Sequence, residues 1–467
     1  MIQWRYGQKS FCDGFWAREV GDLWPQWMRV ADRLLKDEEL IEAIYQAQGK
    51  RYQQSRKRGR KQTPAEVVLR MLVLKHANNW SFAVTEQEVR ANVVCREFAR
   101  IGLEKVPDAK VLAKIAKLIG PQVVEQIHRR IVELAKQKKV AQGRRMRLDT
   151  TVVETNIHYP TDSSLLGDGT RVLTRLMKKV EQRVGGLAQK VRNRMRSVRK
   201  QVIAIAISSR RKGAEGEKQR QRHYRKLLRL TRQVVNQANR VSQQVGQMSR
   251  YKQVRVAPLL EEMATMVERS KQVIRQTKAR VLEGNTQFAD KLVSVFEAHT
   301  EVIRKGKASK PNEFGKMVKI QEAENQLIVD YEVFAERPVD SDLLVDSVKT
   351  HQQALGRMPQ LVAADAAFYS ARNEQILEQE GVQRIAIPSR ATKSRARREK
   401  QKKRWFKNGQ RWRTGSEGRI SVLKRRHGLN RSRYRGQDGI EKWVGLGVIA
   451  DNLRTLGGIL PWEGATT

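Results

Sequence analysis

The chain has 467 residues, with 93 Lys and Arg against 49 Asp and Glu, so its formal net charge is +44. A compact protein with this excess repels itself unless a polyanion neutralises it, so nucleic acid is the expected partner and a membrane is not. The sequence contains no long apolar run, no GxxxxGK[ST] loop, no HExxH and only two cysteines, Cys12 and Cys95. These absences argue against a membrane span, ATP-driven work, a zinc finger and a disulfide framework, and they favour a reducing cytoplasm.

Residues 1–140 are predicted to form an all-helical domain that binds DNA. A basic run at 50–62, KRYQQSRKRGRKQ, is either a solvated linker or a contact to the DNA backbone. Thr63 and Thr85 each precede an acid by three residues, which predicts two capping boxes at helix starts. A helix-turn-helix is possible in this region, but an ordinary helical pair explains the pattern equally well.

Residues 141–170 begin a second domain. RRMRLDTTVVETN alternates and is rich in β-branched residues, so it predicts a strand that contains Asp149. Glu154 is a rival carboxylate, but strand alternation places it on the opposite face. TDSSLLGDG is predicted to be a loop. Residues 171–300 then form a basic, coiled-coil-like helical insert, with Pro258 opening its third segment. This insert is either a spacer or an arm that grips DNA or a second protomer.

Residues 301–467 return to strands. EFGKMVKIQ and NQLIVDYEVF predict an antiparallel hairpin, a helix ends at Gly356, and QLVAAD is a short strand that places Asp365 at its carboxyl end. Such strand ends are where α/β sheets place their chemistry. A helix capped by Ser370, a strand and a basic stretch follow, and then a helix that carries Glu417.

Three acids thus occur in the order expected for an RNase H-like fold: Asp149 on a strand, Asp365 on a second strand and Glu417 on a helix. Hydrolysis or transfer of a phosphodiester without a nucleoside triphosphate calls for divalent metals, which carboxylates hold. Arg413 and Lys424 lie four residues before and seven after Glu417, so a helix presents all three on one face, where the cations would hold phosphates. Each acid also has an ordinary explanation as a cap, a turn former or an ion-pair partner. His427 is predicted to be a phosphate contact or a surface residue.

The chain resembles the DDE transposases of bacterial insertion sequences. The motifs are DTT (Asp149), VAADAAFYS (Asp365) and Arg-x3-Glu-x6-Lys (Arg413, Glu417, Lys424), followed by a similar C-terminal block. One position departs from the family pattern, because Gln410 stands where this branch often has Tyr.

The resemblance implies a mixed α/β fold, with an RNase H-like catalytic domain interrupted by the insert. It implies Mg²⁺-dependent nicking, with Mn²⁺ as a substitute, at the terminal repeats of the element and 3′-hydroxyl attack on target DNA. Asp149, Asp365 and Glu417 would bind metal, and a homodimer or larger assembly would handle the two ends together. The DNA contacts are expected from Arg413, Arg419, Lys424 and Arg425. The alternatives are an RNase H-like structure-specific nuclease and a catalytically inactive DNA-binding protein.

Overall fold

The structure, a computed structural model, describes residues 1–6, 19–50, 61–304, 311–389 and 392–461. Cys12 and most of the basic run at 50–62 lie outside the described residues. The chain divides into two compact units. Unit 1 comprises Met1–Asn156 and Gly315–Thr467, and unit 2 comprises Ile157–Phe314. The helical insert expected at 171–300 therefore falls within a unit that extends beyond it at both ends.

The N-terminal part of unit 1 is helical, as predicted. Asp37 caps the second of its helices by accepting a hydrogen bond from the backbone N–H of Leu40, and Asp108 stands at the N-cap of the sixth. The helices that the structure describes here are α1 (Gln26–Leu34), α2 (Glu38–Gly49), α3 (Ala65–Ala77), α4 (Phe82–Ala91), α5 (Val93–Phe98), α6 (Ala109–Leu118) and α7 (Pro121–Gln137).

Both predicted capping boxes are wrong. Helix α3 has no side-chain cap after Thr63, and Glu66 instead pairs with buried Arg70 at 2.9 Å. Helix α4 is capped by Ser81, whose hydroxyl accepts from the backbone N–H three residues on. Thr85 lies inside α4, where its hydroxyl donates to the carbonyl of Ser81 at 2.8 Å. Ser81 therefore caps the helix for which Thr85 was predicted, and Glu66 forms a buried ion pair with Arg70 instead of a capping box.

Strand β1 (Arg145–Glu154) follows, and the chain then enters unit 2. A continuous apolar cluster along its helices forms the core of this unit. The predicted loop at TDSSLLGDG instead forms the start of a helix, where Thr161 and Ser164 form a capping box. Pro258 lies inside a helix rather than at its start. The elements are α8 (Asp162–Val184), α9 (Met195–Ser208), α10 (Ala214–Gly246), α11 (Arg250–Leu282) and β2 (Glu301–Arg304).

The remaining strands of unit 1 form a mixed sheet with β1. They are β3 (Asn312–Glu322), β4 (Ile328–Val333), β5 (Leu361–Ala363) and β6 (Arg384–Ala386). Over the described residues the sheet has six strands in the order β2-β3-β1-β5-β6, and β4 also pairs with β3. The predicted hairpin is confirmed, because β3 and β4 pair antiparallel, and β3 also pairs antiparallel with β1. Strands β1, β5 and β6 run parallel to one another.

Helices cover the two faces of the sheet. Met146 and Leu148 of β1 pack on one face of the sheet against two helices, Leu343–Leu355 and Ala371–Gln379. Val153 packs on the opposite face against Leu423 and Trp443. Gly356 ends the first of these helices in a left-handed conformation, and Ser370 caps the second, both as predicted. The helices are α12 (Leu343–Leu355), α13 (Ala371–Gln379), α14 (Arg395–Lys402), α15 (Arg404–Arg426) and α16 (Gln437–Ile459). Across the described residues, no helix combines the length and apolarity that crossing a membrane requires.

Candidate active site

Helix α15 lies against β1, the strand that carries Asp149. Alternate residues of β1 face the helix, because successive side chains of a strand point to opposite sides. Arg147 donates to the carbonyl of Trp412 at 2.8 Å, and Asp149 accepts from the hydroxyl of Ser416 at 3.1 Å. The helix thus runs along the row of side chains to which Asp149 belongs.

Asp149 is a mostly buried carboxylate that receives two hydrogen bonds. Its Oδ1 accepts from the backbone N–H of Thr150 at 2.8 Å, and its Oδ2 accepts from Ser416. Burial raises the pKa of Asp149, because desolvation disfavours the charged form, and the charge of Asp365 raises it further. The two hydrogen bonds and Arg413 oppose this rise. Ionised Asp149 is therefore a group that a nearby cation would stabilise.

The parallel pairing of β1 and β5 ends two residues before Asp149 and Asp365. Arg147 stands opposite Ala363, the last residue of β5, and Asp149 and Asp365 each follow two residues later in the chain. Asp365 stands at the N-cap of a short 3₁₀ turn, where its Oδ1 accepts from the backbone N–H of Ala367 at 2.8 Å. The two aspartates lie close enough for the charge of one to raise the pKa of the other.

Glu417 lies on α15 with its side chain 65% exposed. Its Oε1 accepts from Nη2 of Arg413 at 3.0 Å, a spacing of one helical turn. The same guanidinium lies 4.0 Å from Oδ2 of Asp149, while its Nε has no hydrogen-bond partner. Arg413 therefore lies between Glu417 and Asp149 and interacts electrostatically with both.

The donor set matches the ligand preference of Mg²⁺, which takes carboxylate oxygens. The carboxylates are not gathered around one point, since among the described residues no three Asp, Glu, His or Cys side chains form a group that could hold a metal ion. A cation, Arg413, nevertheless already lies between Asp149 and Glu417. The two negative carboxylates therefore favour a positive charge between them.

Gln410, which departs from the family pattern, ties α15 to the edge of the sheet near Asp365. Its amide Nε2 donates to the carbonyl of Ala364 at 3.0 Å, and it also contacts the carbonyl of Ala386. The residue before Asp365 is thereby bonded directly to the helix that carries Glu417. Gln410 thus helps to position two predicted metal ligands.

Glu154, which strand alternation predicts on the face of β1 opposite to Asp149, pairs with Arg431 at 3.0 Å. Lys424 is partly buried and Arg425 is exposed. Lys424 is eleven residues beyond Arg413 on a continuous helix, so it recurs on nearly the same face. These placements keep Lys424 and Arg425 as candidates for phosphate contact.

Two predicted DNA contacts are wrong. Arg419 is only 8% exposed, and its guanidinium binds Asp451 at 2.8 Å and Gln326. His427 is fully buried, and its Nε2 lies 3.4 Å from the same Asp451. These side chains point into unit 1, where an internal acid compensates Arg419.

The sequence interpretation missed a buried charge network behind the site. Arg147 pairs with Glu322 of β3, and Nε of Arg419 lies 3.9 Å from the same carboxylate. Burial raises the pKa of Glu322, and Arg147 and Arg419 counteract that rise. One signal was available, because Arg147 stands two residues before Asp149 and a strand places both on the same face.

Two family models match the chain. The transposase domain DUF772 matches residues 26–118, from the first residue of α1 to the last residue of α6. The transposase DDE domain matches residues 375–457, which include α15 with Arg413, Glu417 and Lys424. No curated protein and no solved structure is significantly similar to the chain.

Two segments of the chain are therefore similar to transposase domains. They confirm the predicted resemblance to the DDE transposases of insertion sequences. Asp149 and Asp365 lie outside both matched segments.

Proposed function

We propose that the chain binds the ends of its insertion sequence and carries out metal-dependent DNA cleavage and strand transfer. Asp149, Asp365 and Glu417 are the proposed metal ligands. The observation that supports this proposal is the parallel pairing of β1 and β5, which ends two residues before Asp149 and Asp365 and leaves the two aspartates close enough to interact electrostatically. The strand order, with two antiparallel and two parallel pairings, is that expected of an RNase H-like domain and supports the assignment.

Mg²⁺ is the proposed cofactor, with Mn²⁺ as a substitute, since hard divalent ions prefer oxygen ligands. When bound, the metal would activate the attacking oxygen and stabilise the leaving oxygen of the phosphodiester. The chain contributes the ligands and their orientation. Ser416 and the N–H of Thr150 hold Asp149, the N–H of Ala367 holds Asp365, and Arg413 holds Glu417.

We further propose that Lys424 and Arg425 bind DNA phosphates and that Arg413 exchanges its carboxylate partner for a phosphate when DNA binds. Phosphate contacts of this kind position the duplex without reading its sequence. A homodimer or larger assembly on DNA is proposed because the two ends of the element must be handled together.

The test is cleavage of duplex DNA that carries the gene's own flanking ends, with Mg²⁺ and with EDTA. Wild type should nick at the ends only with metal. Glu417→Gln and Asp365→Asn should each lose at least about a hundredfold in cleavage, because a metal ligand is lost, while the affinity for DNA changes little. Glu399→Gln is the matched control, because Glu399 is an exposed acid of α14 whose ion pair within the described residues is with Lys402, and this variant should cleave as wild type does.

Each result has a defined meaning. Nicks without joined strand-transfer products would replace the transposase proposal with an RNase H-like nuclease. Binding without nicks in any divalent metal would indicate a catalytically inactive DNA-binding protein. Normal cleavage by Asp365→Asn would refute the assignment of the metal ligands.

A further inference from the structure

Unit 2 contains two long basic stretches that hold no acid. Ten Lys and Arg lie between Glu181 and Glu215 without one Asp or Glu, and eleven more lie between Glu217 and Glu261. These stretches form the α8–α9 connection, α9, α10 and the start of α11. Most of these cations are exposed, while the core of the unit consists of apolar residues. Packing therefore does not explain them.

A polar pocket of about 350 Å³ lies between the α8–α9 connection and the C-terminal half of α10. Four cations, five side-chain amides and one valine line it, and no carboxylate does. The cations are Lys190, Arg192, Arg194 and Arg240. Three of them are exposed, and Arg194 is partly buried. A pocket lined in this way has no internal counter-charge and favours an anion.

The pocket is held in shape by hydrogen bonds that leave donors available. Arg194 donates from Nε to Oε1 of Gln233 at 3.0 Å and from Nη1 to Oε1 of Gln237 at 3.2 Å. An amide whose oxygen accepts a bond keeps its NH₂ group as a donor. Partial burial and the neighbouring charge of Arg192 lower the pKa of Arg194, so like charges are crowded here. The free polar groups of this lining are therefore largely hydrogen-bond donors.

We propose that this pocket, which shares no residue with the candidate active site, binds backbone phosphates of duplex DNA. The inference deepens the proposed function and rests on it, because it assumes that DNA is the substrate. A small free anion would need only the pocket. The basic surface instead follows α10, whose 33 residues extend about 50 Å at 1.5 Å per residue. A row of phosphates along a duplex accounts for both the pocket and the surface around it.

The test compares full-length variants binding a labelled 40-base-pair duplex across a series of NaCl concentrations. The pocket variant combines Lys190→Gln, Arg192→Gln and Arg240→Gln. The control combines Arg210→Gln, Arg211→Gln and Lys212→Gln, which remove three exposed charges from the α9–α10 connection. Arg211 contacts Gln219, which lies 14 residues and about 21 Å along α10 from Gln233. Unchanged helical content and thermal unfolding temperature would show that both variants fold.

The pocket variant should bind about tenfold more weakly near 0.1 M salt, and its log–log salt slope should fall by about 2.7, because three phosphate contacts are lost. The control slope should fall by less than the pocket slope, because its three charges lie in a connection outside the pocket. Gln233→Ala with Gln237→Ala keeps every charge but releases Arg194, and it should weaken binding about threefold as one phosphate contact loosens.

Equal slopes for pocket and control variants, with cleavage of the ends intact in both, would overturn the pocket assignment alone. Loss of DNA binding and cleavage already in the wild type would overturn the proposed function as well. Unaltered binding by the Gln233 and Gln237 double variant would show that diffuse charge, and not a built site, attracts the DNA.

Discussion

At the residue scale, one helix supplies both a candidate ligand, Glu417, and two groups that lower the pKa of another candidate, Asp149. Ser416 and Arg413 are three residues apart on α15, and both oppose the effect of burial on the pKa of Asp149. Glu417 follows immediately and is bonded to Arg413. A shift of α15 along the sheet would therefore alter the protonation of Asp149 and the position of Glu417 together.

A second unusual residue is Lys75, which is 2% exposed in α3. Its ammonium lies 4.7–5.1 Å from the ring centroids of Phe82, Tyr434 and Trp443, and 3.5 Å from Nε2 of His76. Burial, and secondarily Arg433, lower the pKa of Lys75 to about 7, while the aromatic faces favour the charged form. His76 has its pKa lowered well below its usual value by burial and by Lys75, so it stays neutral above pH 7.

Lys75 should make the stability of unit 1 depend on pH. Its pKa is about 7 in the fold and near 10.5 when unfolded, so between these values the unfolded chain holds a proton that the folded chain lacks. The free energy of unfolding should therefore rise from pH 7 to 9, by at most about 1.4 kcal/mol per pH unit, whereas below pH 7 Lys75 adds no pH dependence. Chemical denaturation of Lys75→Met should show a flatter profile than wild type. Exposed Lys110→Met is the control, and identical profiles for all three proteins would disprove the effect.

At the element scale, glycine permits the close approach of α15 to β6. A Cβ on Gly409 would lie 2.6 Å from the Cβ of Ala386, closer than packed atoms tolerate. Gln410 then bonds to the carbonyls at the ends of β5 and β6. The two adjacent residues thus fix the height of α15 above the strand ends near which Asp365 lies.

Gly409→Ala should push α15 away from β6 and lower the free energy of unfolding by about 1–3 kcal/mol, since overpacked contacts cost this much. Gly418→Ala on the same helix is the control, because no atom lies within 4 Å of the added Cβ. This control should gain up to about 1 kcal/mol from helix propensity alone. Denaturant titration of both variants measures the difference. Equal stability of the two variants would show that the close approach does not constrain α15.

Local sequence patterns predicted which elements exist better than where they begin. The β3–β4 hairpin, Gly356 and Ser370 were predictable because turn and cap chemistry acts within a few residues. Pro258 was predicted to open a helix because a proline inside a helix forfeits one backbone hydrogen bond and its ring crowds the carbonyl four residues earlier. Val254, whose carbonyl would have accepted that bond, is 67% exposed, so water can replace the bond.

At the scale of the whole molecule, chain order predicted the strands and the helix that carry the three candidate acids, but not their surroundings. Along the chain, a strand carries Asp149, a second strand precedes Asp365, and a helix carries Glu417. This order of elements is typical of one sheet topology, so it could be predicted from the sequence. The pairing of Arg419 with Asp451 was not predictable, because it joins α15 to α16 and depends on the rotation of both helices. The Glu322 network likewise requires the antiparallel register of β1 and β3, in which Glu322 stands opposite Arg147.

The net charge of +44 should give the protein opposite responses to salt with and without DNA. Without DNA, like charges repel within the fold, and salt screens them, so the unfolding temperature should rise between about 0.05 and 0.5 M NaCl. With saturating duplex, stabilisation by the bound polyanion should be greatest at low salt and should fade as binding weakens, until the two curves meet. Thermal scans monitored by circular dichroism measure both curves. An uncharged osmolyte such as sorbitol is the control, since it should shift both curves upward without making them converge. Parallel salt curves would mean that DNA does not neutralise the charge of the folded protein, and they would count against the expectation that a polyanion balances its excess of cations.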